Sequence, residues 1–246
     1  MAIEPIEAPE EYCRQIESYL CRKNDGHLIR IVGPVFEQVC GWATRGIPIK
    51  VACRGIDRCF ERYYAKGPRR RPVQVQFCEA DVLDVFDEWR RAVGVPAAAA
   101  GEGDEAEAGR RHSSLPAHLE RVIARLTSLR ASGERAARPS GGAAALDDTL
   151  DGIVREIDGA RAAAKSLRGD ARQQFVGRLR ELDRALLDAA RSGFDGATLL
   201  ELQREAEAEL APFRDRMPAE AYARARESCI DRIIRDRVRL PVIAFE

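Results

Sequence analysis

Lysine is scarce in this chain. Of its 40 basic residues, only Lys23, Lys50, Lys66 and Lys165 are not arginine. That bias fits a GC-rich bacterial genome as well as a demand for guanidinium chemistry. A net charge is also missing, because 40 acids balance the 40 bases. Balance of this kind excludes a protein that coats nucleic acid or a membrane by bulk charge, while a local basic patch stays open. No apolar run approaches the roughly 18–20 residues of a membrane span. The opening MAIEPIEAPEEY is acidic and has neither the basic nor the apolar part of a secretion signal. The expectation is therefore a cytoplasmic protein with no membrane partner.

Catalytic furniture is equally thin. The three histidines are His27, His112 and His118. The first follows a helix stop, and the other two flank a low-complexity stretch. There is no Ser nucleophile elbow and no G-x-x-x-x-G-K-[ST] phosphate loop. The acids Glu79, Asp81, Asp84, Asp87 and Glu88 cluster, but without a calcium-type loop or turn glycine. They read as a solvated helix face or as the complement of a basic one. The expectation is a protein that is not an enzyme and takes no cofactor.

What is plentiful is cysteine. Cys13, Cys21, Cys40, Cys53, Cys59 and Cys78 fall in the first 94 residues, and Cys229 stands alone. An odd number without a signal peptide argues against a secreted disulfide framework. The nearest pair, Cys53 and Cys59, is too widely spaced for a C-x2-C zinc motif. Both also fit a helical apolar stripe, so they read as small buried hydrophobes and no metal is expected.

Composition changes abruptly near residue 95. Residues 1–94 hold ten of the 15 aromatics, including Trp42 and Trp89. They form the first expected domain. Residues 95–114, VPAAAAGEGDEAEAGRRHSS, cannot bury a core and read as a flexible linker. Residues 115–246 are rich in Ala, Leu, Arg and Glu, and form the second domain. A further low-complexity break, 131–145, interrupts it.

In the first domain, a helix over 9–23 ends at Asn24-Asp25-Gly26. HLIRIV (27–32) is a short extended segment. A second helix runs from Gly33-Pro34 to Gly46, and a third from Pro48 to about Ala65. The third has an apolar face of Ile49, Ala52, Cys53, Ile56, Cys59, Phe60 and Tyr63. Residues 69–78 alternate, with Val73, Val75 and Phe77 against Gln74 and Gln76, which predicts a short strand or extended arm. A helix over 79–93 buries Val82, Val85, Phe86, Trp89 and Val93. The second domain predicts four or five long helices with short connections, hence an antiparallel bundle. Few aromatics and much alanine leave room for the bundle to complete its core by homo-oligomerising. The fold class expected is mostly α: a small helical N-terminal module, a flexible linker and a C-terminal antiparallel helical bundle.

One charge feature breaks the neutral average. Residues 45–71 carry nine bases against Asp57 and Glu61. Lys50, Arg54, Arg58, Arg62 and Lys66 recur every four residues, making a slowly winding stripe opposite the apolar face. The stripe leads into Arg69, Arg70 and Arg71. Such a surface can follow a phosphate backbone, with Tyr63, Tyr64, Gln74 and Gln76 available for stacking or groove contacts. The same residues also read as ordinary salt-bridged surface: Arg54–Asp57 and Arg58–Glu61 are i, i+3 pairs, and the acidic helix 79–88 is close in sequence.

W-A-T-R-G-I-P (42–48), G-I-D-R-C-F-E-R-Y (55–63), F-C (77–78) and V-L-D-V-F-D-E-W (82–89) together resemble the DnaD-like module of bacterial and phage replication initiation proteins. Trp42, Ile56, Phe77 and Trp89 are the matching positions, and the likeness covers about residues 28–90. Small winged-helix-like replication modules are similar too. The R-R-R-P and C-E segments depart from the DnaD-like pattern, and the long bundle has no counterpart in it. The resemblance implies DNA binding and a role in helicase loading or primosome assembly. The expected function is thus a non-enzymatic DNA-associated accessory protein. The alternative is an interaction or oligomerisation scaffold that touches no nucleic acid, with a protein partner in either case. A metal or redox sensor, resting on cysteine number, is a third class.

The chain's last residues stand out as well. Leu240, Val242, Ile243 and Phe245 follow the basic turn 235–239, and Pro241 stops simple helix continuation. Four large apolar side chains in six positions predict docking, either on the protein's own surface or in a partner's groove.

Overall fold

The structure is a computed structural model that describes residues 9–65, 67, 72–100, 114–131 and 143–245. Among them the regular structure is helical throughout. In order, the helices are α1 (Pro9–Lys23), α2 (Pro34–Arg45), α3 (Ile49–Tyr64), α4 (Glu79–Val93), α5 (Leu115–Ala131), α6 (Ala143–Ala164), α7 (Gly169–Ser192), α8 (Gly196–Leu210) and α9 (Ala219–Val238). Short 3-10 turns occupy Val75–Phe77, Ala97–Ala100 and Ala211–Arg216. No described helix is long and apolar enough to cross a membrane.

Two compact units emerge. Unit 1 takes residues 1–106 and 207–228, and unit 2 takes 107–206 and 229–246. The composition break thus separates most of the chain, but residues 207–228 cluster with the first part. Their chemistry explains it. Phe213 is fully buried and packs near-parallel to Phe86, at 6.4 Å between ring centroids, and against Trp89 at 5.8 Å. Trp89 Nε1 donates to buried Glu209 (3.1 Å). An aromatic core gains more from one further ring than a Leu/Ala bundle would. Val95 and Ala99, expected in a linker, are buried in the same unit. The Ala99 carbonyl accepts from Arg216 (3.3 Å).

Helices α3 and α4 form the tightest contact of unit 1. Gly55 permits it: a Cβ there would lie 2.4 Å from the Val82 Cα. Cys13, Cys59 and Cys78 are buried in this unit, and Cys21, Cys40 and Cys53 are half-buried. Cys13 and Cys40 approach to 3.9 Å, sulfur to sulfur.

Of the short strand or extended arm expected over 69–78, the described residues form no strand. Residues 72–74 are irregular, and Val75–Phe77 close a 3-10 turn in which Phe77 N–H reaches the Gln74 carbonyl (3.1 Å) and Cys78 N–H the Val75 carbonyl (2.9 Å). The side chain of Asn24 takes the place of a partner strand. It donates to the Val73 carbonyl (3.0 Å) and accepts from the Val73 N–H (2.8 Å). Both ladder groups of Val73 are thereby satisfied without a second strand.

In unit 2, ion pairs show how neighbouring helices run. Arg130 pairs with Asp151 (2.5 Å) and Arg161 with Glu120 (3.6 Å), so α5 and α6 are antiparallel. Arg191–Asp231 (2.9 Å) and Arg235–Asp183 (2.6 Å) make α7 and α9 antiparallel as well. Helix α8 ends at Leu210, where Pro212 lacks the N–H that an α-helix would use and a 3-10 turn follows.

The last residues dock within unit 2. Leu240 and Ile243 are buried, and Val242 is exposed. Ile243 N–H donates to Asp183 (2.7 Å), and its carbonyl lies 2.9 Å from His118 Nε2. Phe245 meets the His118 ring edge-on (5.3 Å) and lies under the Arg172 guanidinium (5.7 Å).

Candidate nucleic-acid interface

The basic stripe begins on a helix whose inner face fixes its outer one. Val51, Ala52, Ile56, Cys59 and Phe60 of α3 are buried. Lys50, Arg54, Arg58 and Arg62 therefore fall outward, at four-residue spacing. Lys66, Arg69, Arg70 and Arg71 lie outside the described residues.

Helix α4 neutralises part of the stripe. Arg58 donates two hydrogen bonds to Glu88 (3.0 and 2.7 Å), and Arg62 donates to Asp81 (2.5 Å). These bonds hold both guanidinium groups still more firmly protonated than usual. Arg58 thus pairs across to α4 rather than with Glu61 on its own helix. Asp57 accepts from Lys23 (2.7 Å) and from the Tyr19 hydroxyl (2.7 Å). The acidic cluster of α4 consequently does structural work. Asp81 is buried, and Asp87 accepts from Arg90 (3.0 Å). Among the described residues no three His, Cys, Asp or Glu side chains gather as a metal site would require.

Burial makes four of the thiols harder to ionise. Desolvation, with Cys40 alongside, pushes the Cys13 thiol up to about 12. Desolvation, reinforced by Asp57, pushes Cys53 up to about 11. Cys59 and Cys78 move in the same direction, again chiefly through burial.

Two aromatic rings bracket the run from Lys66 to Arg71. Tyr64, in the last turn of α3, is 39% exposed, and Phe77, in the 3-10 turn, is 56% exposed. Tyr63 braces Tyr64 edge-on at 5.2 Å. The alternation over 73–77 grouped Phe77 with the inward Val73 and Val75. The three-residue turn instead rotates it to solvent, while both valines stay buried. Of the four positions that carry the family resemblance, Trp42, Ile56 and Trp89 are buried and Phe77 is not.

Asn24 is the residue the sequence reading missed as an anchor. It looked like a helix stop, and its burial at 5% exposure is what reveals the second role.

No model of a known protein family matches the chain, and neither a curated protein nor a solved structure matches it.

Proposed function

We propose that the chain is a non-enzymatic DNA-associated accessory protein, and that unit 1 contacts the nucleic acid through the segment between α3 and the 3-10 turn. One observation carries the reading: Tyr64 and Phe77, both exposed, flank Lys66, Arg69, Arg70 and Arg71 in the sequence. Cations that track phosphates, interleaved with rings that stack on bases, are how single strands are held without sequence preference. Arg58 and Arg62 contribute less, because their charges are matched by Glu88 and Asp81. The DnaD-like likeness of residues 28–90 adds helicase loading or primosome work as the setting. Several reactive groups named above are engaged elsewhere: Cys13, Cys59 and Cys78 in the core, His118 on Ile243 and Asp81 on Arg62.

Salt-titrated binding of a single strand to the full chain tests it. Replacing Arg69–Arg71 with Ala should lower affinity and flatten the log–log salt slope by about 2. Phe77→Ala should weaken single-strand binding by roughly 1–3 kcal/mol. Affinity untouched by either change rules the segment out.

A second reading, a protein-interaction or oligomerisation scaffold, is favoured by the matched charges of α3 and α4. Two exposed apolar side chains also support it: Leu28 (77% exposed) and Val32 (65%) lie in the segment between α1 and α2. Under this reading Leu28→Ser with Val32→Ser shifts the sedimentation of the chain, or abolishes capture of its partner, and leaves DNA affinity unchanged.

A further inference from the structure

A cleft of about 450 Å³ lies in unit 2, beside the C-terminal half of α5 and the end of α9. Arg125, Ser128, Arg235, Asp236 and Arg239 form its polar wall, and Leu129 and Leu240 its apolar one. Three guanidinium groups thus share the lining with one carboxylate. That carboxylate, Asp236, takes an ion pair from Arg232, which lies outside the lining (2.9 Å). Arg235 is held rigidly by Asp183 (2.6 Å) and by the Pro241 carbonyl (3.0 Å). The cleft is therefore lined chiefly by guanidinium groups, on a frame fixed at Arg235.

Backbone conformation points to the same place. Arg239 has φ +60°, a left-handed conformation that a side chain disfavours. It follows the last residue of α9, and the Leu240 N–H reaches back to the Arg235 carbonyl (2.9 Å). Glycine is the usual occupant of that position in a helix-terminating turn of this kind. The chain instead keeps an arginine there, on the wall of a cationic cleft. A residue held in an unfavourable conformation at a cleft is a reason to look for a ligand.

Size and chemistry narrow the class. The cleft is larger than one phosphate needs and falls within the range of small-molecule sites. Guanidinium groups bind phosphate oxygens in paired, directional hydrogen bonds, and a serine hydroxyl adds a further donor. The two leucines offer a surface for an organic ring. We propose that this cleft binds a small phosphate-bearing molecule of nucleoside diphosphate size. Arg125, Ser128 and Arg239 take the phosphates, and Leu129 and Leu240 take the organic part.

Isothermal titration of the full chain with ADP, pyrophosphate and adenosine tests the assignment. ADP should bind saturably at one site per chain, pyrophosphate more weakly, and adenosine not detectably. Arg125→Gln and Arg239→Gly should each weaken ADP at least tenfold. Both changes suit the fold, since Arg125 is exposed and glycine suits φ +60°; unchanged far-ultraviolet circular dichroism checks this. The proposal is overturned if ADP shows no saturable heat at millimolar concentration, if adenosine binds as tightly as ADP, or if neither variant alters affinity. Pyrophosphate as tight as ADP would remove the role given to the leucines. Displacement of ADP by a DNA duplex, in a chain carrying Arg69–Arg71→Ala, would reassign the cleft to nucleic acid.

Discussion

Unit 1 and unit 2 reach a helical end by different packing. Unit 1 buries rings: Trp42, Phe86, Trp89 and Phe213 share its core, and α3 meets α4 backbone to backbone at Gly55. Unit 2 buries mainly Leu, Ile and Ala, and links its helices with arginine–carboxylate pairs at their margins. Large rings make a core that fits one way, whereas aliphatic stripes fit several, so a bundle of that kind draws more of its specificity from its polar rim. The prediction is that unit 1 fails through lost shape and unit 2 through lost pairing.

The sharpest test of that contrast is Phe213→Ala. It removes a ring that touches Phe86 and Trp89, and should cost about 4 kcal/mol. Both tryptophans lie in unit 1, so the loss should appear as an earlier melting transition in tryptophan fluorescence. A transition that stays put would mean that residues 207–228 do not complete that core.

Gly55→Ala comes next. The added Cβ would strike the Val82 backbone, and overpacking of this kind should cost about 3 kcal/mol in urea unfolding. Val82→Ala should not rescue it, because the nearest clash is with a main-chain atom.

Asp183→Ala is the counterpart in unit 2. It strips a partner from mostly buried Arg235 and from the Ile243 N–H, and should cost about 2 kcal/mol. Arg178→Ala, by contrast, removes a fully solvated pairing with Glu156 and Glu181, and should leave the melting temperature where it was. Equal losses from the two would break the distinction between a buried and an exposed rim.

Arg239→Gly should act in the opposite direction. Relief of the left-handed conformation outweighs the chain entropy of glycine, for a gain of about 0.5 kcal/mol. A variant more stable than the parent but poorer at holding ADP would separate stability from binding at one residue.

The mildest contrast is alkaline. Unfolded thiols give up their protons near pH 8.5, whereas Cys53 and Cys13 keep theirs to about 11 and about 12 in the folded chain. Between those values the folded form binds more protons, so stability is full below about pH 8.5 and falls as pH rises. Six of the seven cysteines belong to unit 1. Tryptophan fluorescence should therefore report the loss, and alkylation of native Cys13 and Cys53 at pH 8 should be slow.

Periodicity made the helices legible. The stripe Ile49, Ala52, Ile56 and Phe60 marks α3 because its neighbours are charged, and α9 follows from Ala225, Cys229, Ile233 and Ile234 in the same way. What escaped were features set by contact across long stretches of chain. The alternation of Val73, Val75 and Phe77 satisfies a strand pattern, yet no local rule says that Asn24 occupies the hydrogen bonds of Val73. Phe213 has the pattern of a bundle residue, and only its stacking on Trp89 places it in unit 1. In the candidate interface the charge was readable residue by residue. The matching of Arg58 by Glu88 and Arg62 by Asp81 needed two helices in register. The cleft beside α5 and α9 was invisible, because its walls are about 100 positions apart in sequence.

The stitch made by Asn24 has an evolutionary side. It secures the chain at Val73, while α3 secures it at Tyr64, so the stretch between is tethered at both ends by groups that do not belong to it. Doubling the length of such a tethered span adds only about 0.6 kcal/mol of closure entropy. Added length between those two anchors is therefore cheap in closure entropy. Descendants of this chain can change the length of that span while both anchors stay where they are.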